Sequence, residues 1–314
     1  MKYVKLPNTD MDMSVLTLGT WVFSGDVWGA VKEQECRDAV AAAADCGINV
    51  IDTAPIYGYG AAEIIVGKAV RGCRGRFLIA TKCGLIGRGR EIRHDLSPGS
   101  IRREVEDSLR RLGVERIDLY QCHWPDPDTA IESTMEALRG LQQQGKIRYI
   151  GVSNFDQALL ERARRCACIV TSQNPGSILD RSGETLFRFC QERQIGVLTY
   201  GSLAGGILTG KYDQAPRFKS GDARSFFYKY YSPKHFEPTR QLLEKLRSLG
   251  QPLNQIALNW ARRQPGVVSV LCGCRNAAQV RDNAAAIAWD LSEEQTRLID
   301  EWAKQTLDPG AANL

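Results

Sequence analysis

Four side chains in the first half of the chain have the types needed to move a proton beside a carbonyl group: Asp52, Tyr57, Lys82 and His123. A tyrosine with its ordinary pKa of ~10 is a weak acid near neutrality. A neighbouring ammonium favours the phenolate and lowers that value, and a carboxylate beyond the ammonium keeps it charged and in place. Tyr57, Lys82 and Asp52 supply these three groups. A histidine that donates to a carbonyl oxygen orients the compound and supports charge developing there, a part open to His123. An acid and an oxyanion partner aimed at one carbonyl call for a hydride donor. Ser153, Asn154 and Gln173 offer hydrogen bonds to a carboxamide, and Tyr200 offers a ring to stack on a nicotinamide face.

These residues share a position in the rhythm of the chain. Apolar runs expected as strands cover 15–19, 48–52, 77–81, 117–122, 147–152, 168–171, 195–200 and 267–271. Stretches of helical periodicity separate them, at 33–45, 62–70, 98–113, 131–144, after Asn154, 183–193, 239–249 and 254–263. Two more helices follow, at 277–286 and 293–304, and a long irregular stretch covers 201–238. Strands that are apolar on both faces and alternate with helices imply a parallel sheet covered on both sides. About eight such units favour a closed (β/α)8 TIM barrel over an open doubly wound sheet. The expected architecture is one domain spanning 1–314, with an N-terminal β-hairpin and extra C-terminal helices. In such a barrel the C-terminal rim carries the chemistry. The residues at or just after the strand ends are Thr20-Trp21, Asp52, Lys82, His123-Trp124, Ser153-Asn154, Gln173, Tyr200 and Gly273-Cys274-Arg275. Any one of them alone reads as a helix cap or a loop polar group; together they form one chemical set.

Composition bounds the alternatives. The chain has 314 residues, 43% hydrophobic and 25% charged, with a formal charge of +5. Its Lys and Arg are dispersed among acidic residues, which argues against a nucleic-acid partner. The first ten residues lack the apolar run of a signal peptide, and no stretch reaches the ~18 apolar residues of a membrane span. Ten scattered cysteines and three histidines show no zinc-ligand spacing. The expectation is a cytoplasmic protein with reduced thiols, no metal and no membrane.

The motifs resemble those of the aldo-keto reductases along essentially the whole chain. Asp52-Thr-Ala-Pro-Ile-Tyr57-Gly-Tyr-Gly matches that family's D-T-A-x-x-Y-G signature. Ala80-Thr81-Lys82, Ile117-Asp-Leu-Tyr-Gln-Cys-His123, Gly145-Lys-Ile-Arg148 and Gly151-Val-Ser-Asn-Phe155 match further blocks in order. Leu18-Gly-Thr-Trp21, Gln121-Cys-His-Trp-Pro-Asp-Pro127 and Tyr200-Gly-Ser-Leu203 are most similar to bacterial general-stress-type members. The resemblance implies a catalytic tetrad of Asp52, Tyr57, Lys82 and His123, with Tyr57 as general acid. It implies nicotinamide contacts at Ser153, Asn154, Gln173 and Tyr200. Phosphate contacts would fall along 201–211, at Gly201, Ser202, Leu203, Gly205 and Lys211. Gly273, Arg275, Gln279 and Asn283 would meet the adenosine end. Arg275, placed to pair with a 2′-phosphate, is the basis for expecting NADP(H), with NAD(H) not excluded.

One departure stands out. Related members often carry Gln-x-x-Tyr-Asn where this chain has Gln173-Asn-Pro-Gly176-Ser177, which is expected to leave space or flexibility beneath the cofactor. Gly205-Gly-Ile-Leu-Thr-Gly-Lys211-Tyr212 approaches a phosphate-binding loop but has Tyr212 where a Ser or Thr would hold Mg²⁺. Trp21 and Trp124 are expected to wall a substrate pocket for a carbonyl or sugar-like compound. Trp28 and the aromatic run Phe226, Phe227, Tyr228, Tyr230 and Tyr231 are candidates for a lid. The functions that fit are reduction of aldehydes or ketones and, as in channel-associated relatives, cofactor binding by a regulatory subunit with little turnover. Oligomeric state is not legible.

Overall fold

The computed structural model describes residues 1–307. Eight parallel strands pair in chain order and close on themselves as a TIM barrel: β1 (Leu16–Gly19), β2 (Val50–Asp52), β3 (Leu78–Cys83), β4 (Ile117–Cys122), β5 (Ile147–Ser153), β6 (Ile169–Pro175), β7 (Gly196–Tyr200) and β8 (Val267–Gly273). The helices surrounding them are α1 (Glu33–Asp45), α2 (Ala61–Val70), α3 (Pro98–Leu112), α4 (Ile131–Gln143), α5 (Gln157–Cys166) and α6 (Glu184–Glu192), then α7 (Ala223–Phe227), α8 (Pro233–Arg247), α9 (Leu253–Arg262), α10 (Ala277–Ala285) and α11 (Glu293–Leu307). Among them, α11 lies beyond the last strand and packs on α8, which sits in the connection between β7 and β8. Among the described residues no helix is long and apolar enough to cross a membrane.

Alternation along the strands sets the site. The lower interior is filled by Val50, Ala80, Leu119, Val170, Leu198 and Val268, closed from below by Leu6, Met11 and Met13 of the N-terminal hairpin (Tyr3–Lys5 with Asp12–Ser14). With a period of two, the next inward positions up the same strands are Asp52, Lys82, Gln121 and Tyr200. A polar layer therefore sits directly on an apolar plug. The register places Asp52 opposite Ala80, two residues below Lys82, and Lys82 level with Gln121, so Asp52 and Lys82 come from neighbouring strands at staggered heights.

Most elements follow their sequence signals. Pro98 occupies the first turn of α3, where it has no N–H to lose, and the Ser97 hydroxyl accepts from the Ser100 N–H at 3.4 Å. Gly113 stops the helix in the left-handed region at φ 65°. Three features differ from expectation. A second hairpin, Leu85–Ile86 with Arg93–His94, stands on the rim. Its two-residue strands are too short to show alternation. The stretch 201–238 is not wholly irregular: it holds a 3₁₀ segment at Ala204–Thr209, helix α7 and a 3₁₀ turn at Lys229–Tyr231. Helix α8 starts at Pro233 rather than Thr239, with Pro238 inside it. The bond that Pro238 forfeits would go to the carbonyl of Lys234, an exposed residue, so water can satisfy that group. Of the short polar C-terminal stretch 307–314, residues 308–314 lie outside the described residues.

Glu104 of α3 is buried beneath the end of β3. It accepts from the Gly84 N–H at 3.0 Å and from the Ser100 hydroxyl at 3.3 Å. Burial pushes its carboxyl up to about 8, against the opposing pull of those hydrogen bonds. Glu104 thus keeps its proton in the fold across a pH range where the unfolded chain loses it. Its contribution to stability falls as pH rises from about 4.5 to about 8. Glu104→Gln is expected to match the parent near pH 4 and exceed it by roughly 2–4 kcal/mol at pH 8, at about 1.4 kcal/mol per pKa unit. Urea midpoints measured against pH check this; parallel curves for the two proteins would contradict it.

Candidate active site

The loop after β2 brings Tyr57 back over the strand ends. Gly58, Tyr59 and Gly60 all have positive φ, and a Cβ on Gly58 would lie 2.6 Å from the Ser24 carbonyl oxygen. Glycine at 58 is required by both conformation and space. The Lys82 ammonium, with no solvent exposure, donates to Asp52 Oδ1 at 2.5 Å, to the Thr53 carbonyl at 3.0 Å and to the Tyr57 hydroxyl at 3.2 Å. An ammonium has three N–H groups, and all three are assigned. The other carboxylate oxygen, Asp52 Oδ2, accepts from Gln121 Nε2 at 3.1 Å and Gln173 Nε2 at 2.9 Å.

The charge states follow from these contacts. Burial works to lower the Lys82 pKa, but the Asp52 carboxylate and the Tyr57 hydroxyl outweigh it and the net shift is upward. Burial raises the Tyr57 pKa, and Lys82 offsets this only in part. The lowering expected from Lys82 is thus present as one contribution, and the net direction is the opposite. Tyr57 remains a phenol at neutral pH, beside a cation that favours loss of its proton. His123 is held well below the usual imidazole range by burial and by Lys82 and His94, so it is neutral. Its ring meets the Tyr57 ring edge-on, with centroids 5.8 Å apart.

Trp21 stacks beside Tyr57 at 6.1 Å between centroids and meets Trp28 edge-on at 5.2 Å. Trp124 packs against His94 of the rim hairpin at 6.3 Å. On the other side, the Tyr200 hydroxyl donates to Asn154 Oδ1 at 2.8 Å, and Asn154 Nδ2 donates to the His123 carbonyl and to Ser153 Oγ. Ser153 Oγ donates to the Gln173 carbonyl at 2.9 Å. Ser153, Asn154, Gln173 and Tyr200 therefore form one network with the tetrad. Asn154 holds φ 61°, an uncommon conformation outside glycine.

The model of the aldo/keto reductase family matches residues 15–304. The chain belongs to the aldo-keto reductase family. It is 36% identical to the aldo-keto reductase YhdN of Bacillus subtilis, over 98% of this chain and 96% of that one. It is 35% identical to the NADH-specific methylglyoxal reductase of Escherichia coli, over 97% and 99%. A glycerol dehydrogenase from Gluconobacter oxydans superposes with a TM-score of 0.89 at 34% identity, covering 98% of this chain and 96% of that one. This aldo-keto reductase is accordingly an oxidoreductase acting on carbonyl and alcohol groups with a nicotinamide cofactor.

Beyond the tetrad, the aldo-keto reductase places Gly201, Gly205 and Gly206 in the left-handed region along the loop after β7, where the Ala204 N–H donates to the Gly201 carbonyl at 2.7 Å and the Gly206 N–H to the Leu203 carbonyl at 2.8 Å. Lys211 Nζ lies near this loop: a Cβ on Gly206 would be 3.3 Å from it. Ser202 is buried and points away, its hydroxyl on the Gly176 carbonyl at 3.0 Å; Leu203 is partly exposed. The Tyr228 ring covers Gly205, 2.7 Å from where a Cβ would stand. Phe227 lies between Trp21 (5.3 Å) and Tyr200 (6.5 Å). At the end of β8, beside exposed Gly273, Arg275 donates to the Trp28 carbonyl. Its pKa is lowered by burial and by the Arg224 guanidinium. Gln279 accepts from the Arg275 N–H at 2.8 Å, and Asn283 is buried against Cys274 and Asn254.

The Gly176 departure leaves no gap: a Cβ there would meet Thr199 at 2.9 Å and Phe187 at 3.2 Å. Arg224, locked to Asp222 at 2.6 Å, and Gln121 were not singled out from sequence. For Gln121 a signal existed, a long amide at an inward position of an apolar strand. For Arg224 there was none, because it lies in a loop of mixed charge.

Proposed function

We propose that this chain reduces aldehydes and ketones to alcohols, reversibly, with NADPH, in a single domain spanning 1–314 and in the cytoplasm. The observation that carries the proposal is the fully assigned Lys82 ammonium joining buried Asp52 to the Tyr57 hydroxyl. When bound, the nicotinamide supplies a hydride to the carbonyl carbon. Tyr57 gives its proton to the carbonyl oxygen, and Lys82 stabilises the phenolate as it forms. Neutral His123 donates to the same oxygen and fixes its position. Trp21 and Trp124 wall the pocket and keep water from the reacting carbon.

The residues present fit the cofactor. Positive φ at Gly201, Gly205 and Gly206 curls the loop after β7 beside Lys211, a cation suited to a phosphate, and Tyr200 is anchored by its hydroxyl next to Phe227. A nicotinamide seated on Tyr200 requires Phe227 and Tyr228 to swing aside, in keeping with a lid role for 201–238. The test is NADPH absorbance with a panel of aldehydes that includes methylglyoxal, and the reverse reaction with glycerol. Turnover above a Tyr57→Phe control supports the reductase. Tight cofactor binding without turnover would instead fit a regulatory subunit.

The NADPH preference rests on Arg275, with Arg224 beside it. A hydrogen bond to a charged group contributes ~1.5–3 kcal/mol. Arg275→Ala is expected to raise the KM for NADPH by about 10- to 100-fold and leave that for NADH nearly unchanged. Equal effects on the two cofactors would remove this basis for the preference.

A further inference from the structure

We propose that Gln121 is a positioning residue that keeps the shared proton of the Asp52–Lys82 pair on Lys82. The inference rests on the reading of Tyr57 as proton donor. Gln121 is fully buried on β4, opposite Lys82 in the strand register. Its Nε2 donates to Asp52 Oδ2 at 3.1 Å, and its Oε1 accepts from Gln173 Nε2 at 3.4 Å. The barrel interior is shaped to admit it. Gly151 lies opposite Gln121 on β5, and a Cβ there would stand 2.9 Å from Gln121 Cγ.

A buried ion pair with a 2.5 Å N···O distance has two competing states. In one, Lys82 is an ammonium and Asp52 a carboxylate. In the other, one proton has moved from Nζ to Oδ1, leaving a neutral amine and a carboxylic acid. Burial favours the neutral state. Donors on Oδ2 favour the carboxylate, because a charged oxygen accepts more strongly than a neutral carbonyl. The Thr53 carbonyl and the Tyr57 hydroxyl favour the three-donor ammonium in the same way. The neutral amine would do little for a phenolate at Tyr57. Gln121 acts on the reacting oxygen through two intervening residues, Asp52 and Lys82, by biasing where this proton sits. Gln173 supplies the second donor from a residue in the Ser153–Asn154 network, so Gln121 is the donor whose removal leaves that network in place.

The experiment compares Gln121→Met, which keeps the chain length without the amide, with the parent enzyme. Glycerol oxidation with NADP⁺ needs the Tyr57 phenolate and rises with pH through its kinetic pKa. Gln121→Met is expected to move that limb up by about one pH unit. The rate would be roughly 10-fold lower on the rising limb and equal to the parent at high pH. Cofactor affinity, followed by quenching of tryptophan fluorescence by NADPH, should be unchanged. Gln121→Glu is expected to resemble the parent at low pH, where its protonated carboxyl still donates. It should lose activity as it ionises beside Asp52. Independently of turnover, the ε-carbon resonance of labelled Lys82, assigned with Lys82→Met, reports its charge. It should stay that of an ammonium from pH 6 to 10 in the parent and shift toward the amine in Gln121→Met. An ammonium signal retained in Gln121→Met, with an unshifted or uniformly scaled pH profile, overturns the proposal. If the parent turns over no substrate, the functional reading fails and the lysine resonance still decides the role of Gln121.

Discussion

Tyr57→Phe is expected to lower turnover by about 10²–10⁴-fold, the range of a positioned general acid, while cofactor affinity stays within about two-fold. Only one oxygen is removed. That oxygen accepts from Lys82 at 3.2 Å and, among the described residues, is the acidic hydroxyl in contact with it. The ring keeps its packing beside Trp21 and its edge contact with His123, so the walls of the pocket persist. Lys82 loses one of three acceptors and retains Asp52 and the Thr53 carbonyl, which keeps the ion pair intact. The loss should therefore fall on kcat and leave binding nearly untouched. Carbonyl reduction followed by NADPH absorbance, beside a fluorescence titration with NADPH, separates the two. A loss in affinity equal to the loss in rate would show Tyr57 to be a binding group.

The barrel and the tetrad were legible because both rest on local pattern. Apolar runs ending in a polar residue give the strands, and a period of two places Asp52, Lys82 and Tyr200 on the inner face once the apolar plug below them is fixed. Partnership across the barrel was not legible. That Gln121 and Gln173 meet on Asp52 Oδ2 depends on the stagger of successive strands, which separates residues far apart in the sequence by a few ångströms. Gln173, read as a cofactor contact, has its amide nitrogen on Asp52, leaving its carbonyl oxygen as the group free to face a carboxamide. The net rise of the Tyr57 pKa was likewise hidden. The attraction of Lys82 follows from residue types, whereas the larger effect of burial depends on how Trp21 and His123 close around the ring. The start of α8 was missed because Pro238 reads as a stop, and only the exposed position of the forfeited bond shows why it is tolerated.

Lys82→Met should destabilise the fold by about 3–5 kcal/mol, the usual result of removing one partner of a buried ion pair, and abolish turnover. Asp52, 2% exposed, would keep only the amide donors of Gln121 and Gln173. The pH dependence has a definite sign. The folded pKa of Lys82 is raised above 10.5, so its contribution is complete below that value and is lost as pH climbs through the folded pKa. The stability gap between parent and variant should thus be constant through neutrality and narrow only in strong alkali. Adding Asp52→Leu to Lys82→Met should recover most of the lost stability, since replacing a whole buried pair by apolar groups is often near neutral. Turnover should not recover. Urea unfolding of the parent, single and double variants across pH, with carbonyl reduction measured on each, distinguishes a pair kept for stability from one kept for chemistry. If the double variant is no more stable than Lys82→Met, then Asp52 holds the barrel together through its amide partners rather than through Lys82.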